Sequence, residues 1–339
     1  MSKRLETLFR TLALGWILPG LILVAPWRAA AQELFEGGAE GLPPDIERLY
    51  TKGLHYLVRT QNDKGCWSDM QGSQPAVVSL AILSMLAHGE DANSGPYSRT
   101  IRRGLDYILG QMNKETGYIG NTMYNHGFST LALAESYGAV NDPRLGPALQ
   151  EAVKLILNAQ ARNGLGAWRY SPESRDADTT VSGAQMVALF AARNAGIGVP
   201  EEAIQKGIKF FLRCQSGDGG FGYTGPGGSN APRSAIGALV FLLAKQKNSI
   251  PCKAAVRYLN QTPVAESHYY HYFLYYASQT YFHASIEAWE QWNKMNLTML
   301  RNTQKADGGW DGSQGTTFST ATSLLSAALN YRYLPIYER

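Results

Sequence analysis

The chain has 339 residues, 45% of them hydrophobic, ample for one well-buried core. Its net charge of +4 is concentrated in the first 31 residues. They carry Lys3, Arg4, Arg10 and Arg28 against Glu6, and the remainder has 27 basic and 26 acidic residues. No basic stripe or charge block stands out elsewhere, so composition gives no reason to expect a nucleic-acid partner.

In chain order, the N-terminus reads as a targeting segment. Lys3, Arg4 and Arg10 precede an apolar run from Leu12 to Val24, and Ala29-Ala30-Ala31 offers a small-residue cleavage site. The expectation is a signal peptide over residues 1–31, a mature start at Gln32 and export to the periplasm or the outside. The alternative is an N-terminal membrane anchor. A span needs about 20 apolar residues, whereas this run is short and broken by Gly15, Pro19 and Gly20. No later segment is apolar enough to cross a membrane. Residues 32–44 read as a linker and 45–339 as one repeat domain.

Within that domain five segments read alike. Gly53–Leu57 leads to Gln61 and then Gly65-Cys66-Trp67, and Gly104–Ile108 leads to Gln111 and Gly117-Tyr118. Val153–Leu157 leads to Gln160 and Gly166-Ala167-Trp168, Gly207–Leu212 to Gln215 and Gly219-Gly220-Phe221, and Met299-Leu300 to Gln304 and Gly308-Gly309-Trp310. A sixth unit, Ala255–Gln261, keeps the helix and the glutamine and lacks the glycine-aromatic loop. Each unit continues into a second apolar segment: Ala76–Ala87, Phe128–Tyr137, Val181–Ala195, Ser234–Lys245, Tyr269–Phe282 and Phe318–Tyr331. Their length and small-residue content suit buried helices, and Asp, Ser, Asn, Gly and Pro cluster between them as start and stop signals. Six hairpins make an all-α fold of twelve helices. An open solenoid is one arrangement. Closure into an (α/α)6 toroid is favoured because the second helices are apolar nearly all round, as an inner ring requires.

The glutamine-to-aromatic spacing predicts structural staples at Gln61/Trp67, Gln160/Trp168, Gln215/Phe221 and Gln304/Trp310. Each glutamine sits near the end of its outer helix, where carbonyls lack partners. Its amide is expected to serve them while the ring packs over it, the glycines permitting the turn. Three cysteines, Cys66, Cys214 and Cys252, form no CxxC or Cys/His cluster, so neither zinc nor a disulfide framework is indicated. An exported chain can oxidise Cys214 to Cys252, and the sequence leaves that open.

Gln304-Lys305-Ala306-Asp307-Gly308-Gly309-Trp310 and Gln215-Ser216-Gly217-Asp218-Gly219-Gly220-Phe221 resemble the QW-type repeats of the prenyltransferase and squalene oxidase repeat proteins, within the terpenoid cyclase and protein prenyltransferase superfamily of α/α toroids. The resemblance covers the chain from about Asp45 onward, and it implies fold rather than activity. Prenyltransferase β-subunits bind zinc through an Asp-x-Cys pair, and the matching stretch here, Ala231–Ala235, has neither residue. His268 or His271 matches only a later ligand, so no metal or other cofactor is expected. Thioester domains need a Cys-Gly-Glu-Gln run, which is absent. Squalene cyclases carry an Asp-x-Asp-Asp-Thr motif whose middle carboxylic acid protonates the isoprenoid. This chain resembles it at Asp176-Ala177-Asp178-Thr179-Thr180, without the fourth-position carboxylate. The resemblance implies Asp178 as the acid with Asp176 beside it, a pairing that would keep one of them protonated. The plainer reading of Asp178 is a helix N-cap.

The most unusual stretch is His268–Tyr276. At helical spacing His268, Tyr272 and Tyr276 form one stripe, with Tyr269 beside it, and Tyr124 and His126 can join the same mouth. So many tyrosines suggest a partly wet cavity for an apolar ligand with a polar head. The plainer reading is rings filling the barrel axis. Three functions follow: a non-catalytic binder of an isoprenoid-like molecule or of a protein partner, a protonation-initiated isoprenoid cyclase using Asp178, and a structural part of an envelope complex.

Overall fold

A computed structural model describes residues 43–263 and 269–338. The expected signal peptide, nearly all of the expected linker and His268 lie outside the described residues. Among the described residues there are twelve α-helices and no β-strand. In chain order they are α1 Pro44–Thr60, α2 Pro75–Leu86, α3 Ser98–Gly110, α4 Met123–Ser136, α5 Leu145–Arg162 and α6 Thr179–Asn194. There follow α7 Glu201–Cys214, α8 Ala231–Leu243, α9 Ile250–Gln261, α10 Tyr270–Ala284, α11 Ile286–Thr303 and α12 Thr316–Ala328. A short 3-10 turn, Pro335–Tyr337, closes the described chain. None of these helices is long and apolar enough to cross a membrane.

The odd-numbered helices are amphipathic and form the outer layer. The even-numbered ones are buried on almost every face, as α2 illustrates, where every residue but Ala76 is buried. That burial profile requires neighbours on all sides, and the ring supplies them. Each even helix packs on the next, and α12 returns to α2. This is the closed α/α toroid. The seam between last and first hairpins is stitched by polar contacts: Gln304 Nε2 donates to Leu49 O at 2.9 Å, Arg301 pairs with Asp45 at 2.5 Å, and the Tyr331 hydroxyl donates to Glu47 at 2.8 Å.

The staples work differently from the sequence expectation. Each glutamine amide donates to the carbonyl of its own loop glycine and to a carbonyl of the next outer helix. Gln61 reaches Gly65 O and Thr100 O, Gln160 reaches Gly166 O and Ala203 O, and Gln215 reaches Gly219 O and Pro251 O, all at 2.9–3.0 Å. The indoles reach carbonyls of their own outer helix as second donors: Trp67 Nε1 to Leu57 O, Trp168 Nε1 to Ile156 O and Trp310 Nε1 to Leu300 O, where Leu57 O and Leu300 O also accept from the Gln61 and Gln304 peptide N–H groups. The glutamine therefore joins neighbouring hairpins, and the tryptophan ties a loop to its own helix. Phe221 has no such donor and is held by burial and by its peptide N–H on Ser234 Oγ. The loop glycine is obligatory at Gly308, where φ is +98° and a Cβ would stand 2.3 Å from Lys52 O. All three cysteines are free thiols, and burial pushes Cys214 and Cys252 up to about 11.

Candidate functional site

The even helices start at one end of the ring, and their first turns form a mouth. Four exposed peptide N–H groups at each start need acceptors, and side chains provide them. Thr122 caps α4 by accepting from Asn125 N, and Asn125 Oδ1 in turn accepts from Ala76 N of α2. Asn230 caps α8, and Asp69, from the first hairpin's loop, accepts from Thr317 N and Phe318 N of α12.

Asp178 is the cap of α6. Its Oδ1 accepts from Thr180 N at 2.8 Å, Val181 N at 2.9 Å and the Thr180 hydroxyl at 2.6 Å. Its Oδ2 lies 3.2 Å from Arg169 Nε. The residue is fully buried. Burial pushes its carboxyl above the ordinary value, while the Thr180 hydroxyl, the two peptide N–H groups and Arg169 pull it back. Asp176 is exposed and pairs with Arg169 Nη1 at 2.8 Å. The two carboxylates thus share one guanidinium and do not pair with each other, contrary to the arrangement implied by the cyclase motif.

Arg169 is itself set between two rings, with its guanidinium 4.9 Å from the centre of Tyr170 and 5.2 Å from that of Tyr223. The Tyr170 and Tyr223 hydroxyls hydrogen-bond to each other. Arg233 lies over the Tyr223 ring from the other side of the loop, at 5.8 Å. From Asp178 a chain of hydroxyls runs inward. Thr180 gives its proton to Asp178, so at 2.5 Å the Tyr124 hydroxyl is the donor to Thr180 Oγ1.

Below this rim two of the expected tyrosines, Tyr272 and Tyr276, meet, joined by Tyr275. Tyr272 stands over Tyr276 with ring centres 4.9 Å apart, and Tyr276 meets Tyr275 at 4.7 Å. Burial, then Tyr276, Tyr124 and Asp178, push the Tyr272 hydroxyl up, which places these groups within one another's field. Tyr276, Tyr275 and Phe128 are buried and fill the axis, while Tyr124, Tyr272 and Phe318 remain partly open. Tyr269 stands exposed at the start of α10. Two surface grooves, of about 550 and 340 Å³, lie outside the ring, along α11 and beside α5.

His126 does not join the lining. It is fully buried in the wall, where Nδ1 accepts from Ile119 N and Nε2 donates to Ala152 O. Burial holds it neutral, down to about 4. Arg169, Tyr170, Tyr223 and Arg233 were missed at the sequence level. They sit on three separate stretches that meet only once the ring forms. Among the described residues no cluster of His, Cys, Asp and Glu has metal-binding geometry.

A family described as a domain of unknown function, DUF6288, matches residues 47–273. The chain belongs to this family. The DUF6288 match runs from α1 into the first turn of α10, so it takes in Asp178, Arg169, Tyr223 and Tyr272. No curated protein matches the chain. Among solved structures, the type II terpene cyclase MstE from Scytonema is 15% identical, with a TM-score of 0.61 over 85% of this chain and 98% of that one. It has also been captured with its substrate, geranylgeranyl dihydroxybenzoate. The GH76A α-1,6-mannanase of Salegentibacter sp. HEL1_6 is 8% identical, with a TM-score of 0.64 over 84% of this chain and 98% of that one. A family 76 glycoside hydrolase from a bovine Bacteroides thetaiotaomicron strain is 11% identical, with a TM-score of 0.63 over 84% of this chain and 77% of that one. At such identities the DUF6288 chain shares their α/α toroid fold, and fold alone does not assign chemistry.

Proposed function

We propose that this protein is a non-catalytic binding module that receives an amphiphilic, isoprenoid-like ligand at the mouth of its toroid. The apolar part would lie on Tyr124, Tyr272 and Phe318, and the polar head would meet Arg169 and Arg233. The observation that carries the non-catalytic reading is the setting of Asp178. Two peptide N–H groups and one hydroxyl donate to Oδ1, and the Arg169 guanidinium forms an ion pair with Oδ2. Those donors and that charge support the ionised carboxylate against the burial that pushes the carboxyl up.

The second reading is a protonation-initiated cyclase. It is supported by the burial that raises Asp178 and by the fold likeness to MstE, which acts on a prenylated aromatic acid in its own case. The prenyltransferase-type resemblance of the loops fits either reading. Export through a cleaved leader is part of the same proposal and places the ligand outside the cytosol.

Native mass spectrometry of protein purified from its own host tests the binding reading. A co-purified small molecule of apolar mass, lost in Tyr272→Ala, is the expected result. A wild-type protein that carries nothing and takes up no polyprenyl compound would count against it.

A further inference from the structure

The opposite end of the ring, where the even helices finish, holds a buried acid that the mouth does not use. Glu135 lies in the last turn of α4, whose second half from Gly127 is otherwise apolar and small, and it is 3% exposed. Its Oε2 accepts from the peptide N–H of Ile336 at 3.4 Å, and its Oε1 has no hydrogen-bond partner. The chain reaches it after α12, where Leu334, Ile336 and Tyr337 turn inward and are buried across the base. Tyr337 N bonds back to Leu334 O, and Pro335 O lies 3.5 Å from the Asn194 amide at the end of α6.

From this geometry we infer that Leu334–Tyr337 is a pH-sensitive strap, latched across the base of the toroid by neutral Glu135 and released when that carboxyl ionises. The groups facing Glu135 give it no counter-charge. Tyr275 of α10 and Tyr337 of the strap are neutral neighbours, and Glu338 is a like charge. The charged residues on and beside the helices packed around α4 are engaged elsewhere: His88 with Glu47, Arg144 with Asp106 and Asp142, Lys154 with Glu151, Arg162 with Asn158 O, and Arg193 with Glu201. Burial accordingly pushes Glu135 up to about 8. Once the strap leaves, water reaches the carboxyl and its ordinary value of about 4.3 returns. The latched state therefore holds a proton that the released state lacks across that window. Latching is fully present below the ordinary value and weakens about tenfold per pH unit up to about 8, beyond which it is level.

Hydrogen–deuterium exchange of the full chain, corrected for intrinsic exchange rates, reads the latch directly. In wild type, protection of the Ile336 and Tyr337 amides should fall about tenfold per pH unit between pH 5 and 8, while α4 and α10 stay protected. Glu135→Gln, which keeps an acceptor oxygen and cannot ionise, should flatten the dependence. If that variant does not fold, Ile336→Pro keeps Glu135 while removing the latching N–H and the buried Ile336 side chain, and the strap should then exchange freely at every pH. Strap protection independent of pH in wild type, a wild-type slope in Glu135→Gln, or full protection in Ile336→Pro would each overturn the inference.

Discussion

Trp310 stands where the ring closes, and its removal gives the sharpest test of how the toroid is held. The ring is 1% exposed and packs over Gly53 of α1 and Leu324 of α12. Its Nε1 donates at 3.0 Å to Leu300 O in the last turn of α11, a carbonyl that also accepts from Gln304 N. Trp310→Ala removes the packing and the indole hydrogen bond, and truncations of this kind cost about 3–5 kcal/mol. Trp310→Phe keeps most of the ring and loses only the donor, which should cost about 0.5–1.5 kcal/mol because Leu300 O keeps its backbone partner. The two variants therefore separate packing from hydrogen bonding. Urea unfolding followed by far-UV circular dichroism measures both. If Trp310→Ala unfolds at the wild-type midpoint, the seam does not depend on the staple and the reasoning fails for this repeat.

Two further outcomes follow from the same contacts. Gly308→Ala forces a Cβ against Lys52 O at a positive φ, so it should destabilise by more than about 1 kcal/mol, whereas alanine at Gly164, where nothing lies near, should be nearly silent in the same unfolding assay. His126 is buried neutral with its value pushed down to about 4, so the folded state resists a proton that the unfolded chain accepts below about 6.5. Stability is then fully present above about 6.5 and should be lost by about 3 kcal/mol as the pH falls to about 4. Thermal melts across that range should show a steeper acid slope in wild type than in His126→Asn.

The architecture was legible because the glycine-aromatic loops recur at a near-constant period and the helices between them are apolar all round. Helix starts were less legible. The second inner helix was expected from Phe128 and begins at Met123, because Thr122 is its cap and Asn125 a ring-bridging acceptor in its first turn. The glutamines were recognised as staples with the wrong partner, since the carbonyls they reach belong to the next outer helix, far along the chain. His126 was assigned to the mouth on its position beside Tyr124. Its ring points instead into the wall, which only the packing of α4 on α5 decides. The rim of Arg169, Tyr170, Tyr223 and Arg233 is assembled by ring closure, and nothing local marks it apart from the Trp168-Arg169-Tyr170 run. Glu135 did carry a signal, a lone acid within an apolar helix, and its partner lay two hundred residues away at the far end of the chain.

In the proposed function Asp178 caps a helix beside a ligand seat and starts no reaction. Asp178→Asn keeps an acceptor for Thr180 N and Val181 N, since asparagine caps about as well as aspartate, and it removes any proton an acid catalyst would deliver. The direct measurement is product analysis after wild type and Asp178→Asn are incubated with squalene and with shorter polyprenyl substrates. Neither protein should give a cyclised product, and ligand retention and stability of the variant should stay close to wild type. A cyclised product formed by wild type and absent with Asp178→Asn would contradict the proposed function.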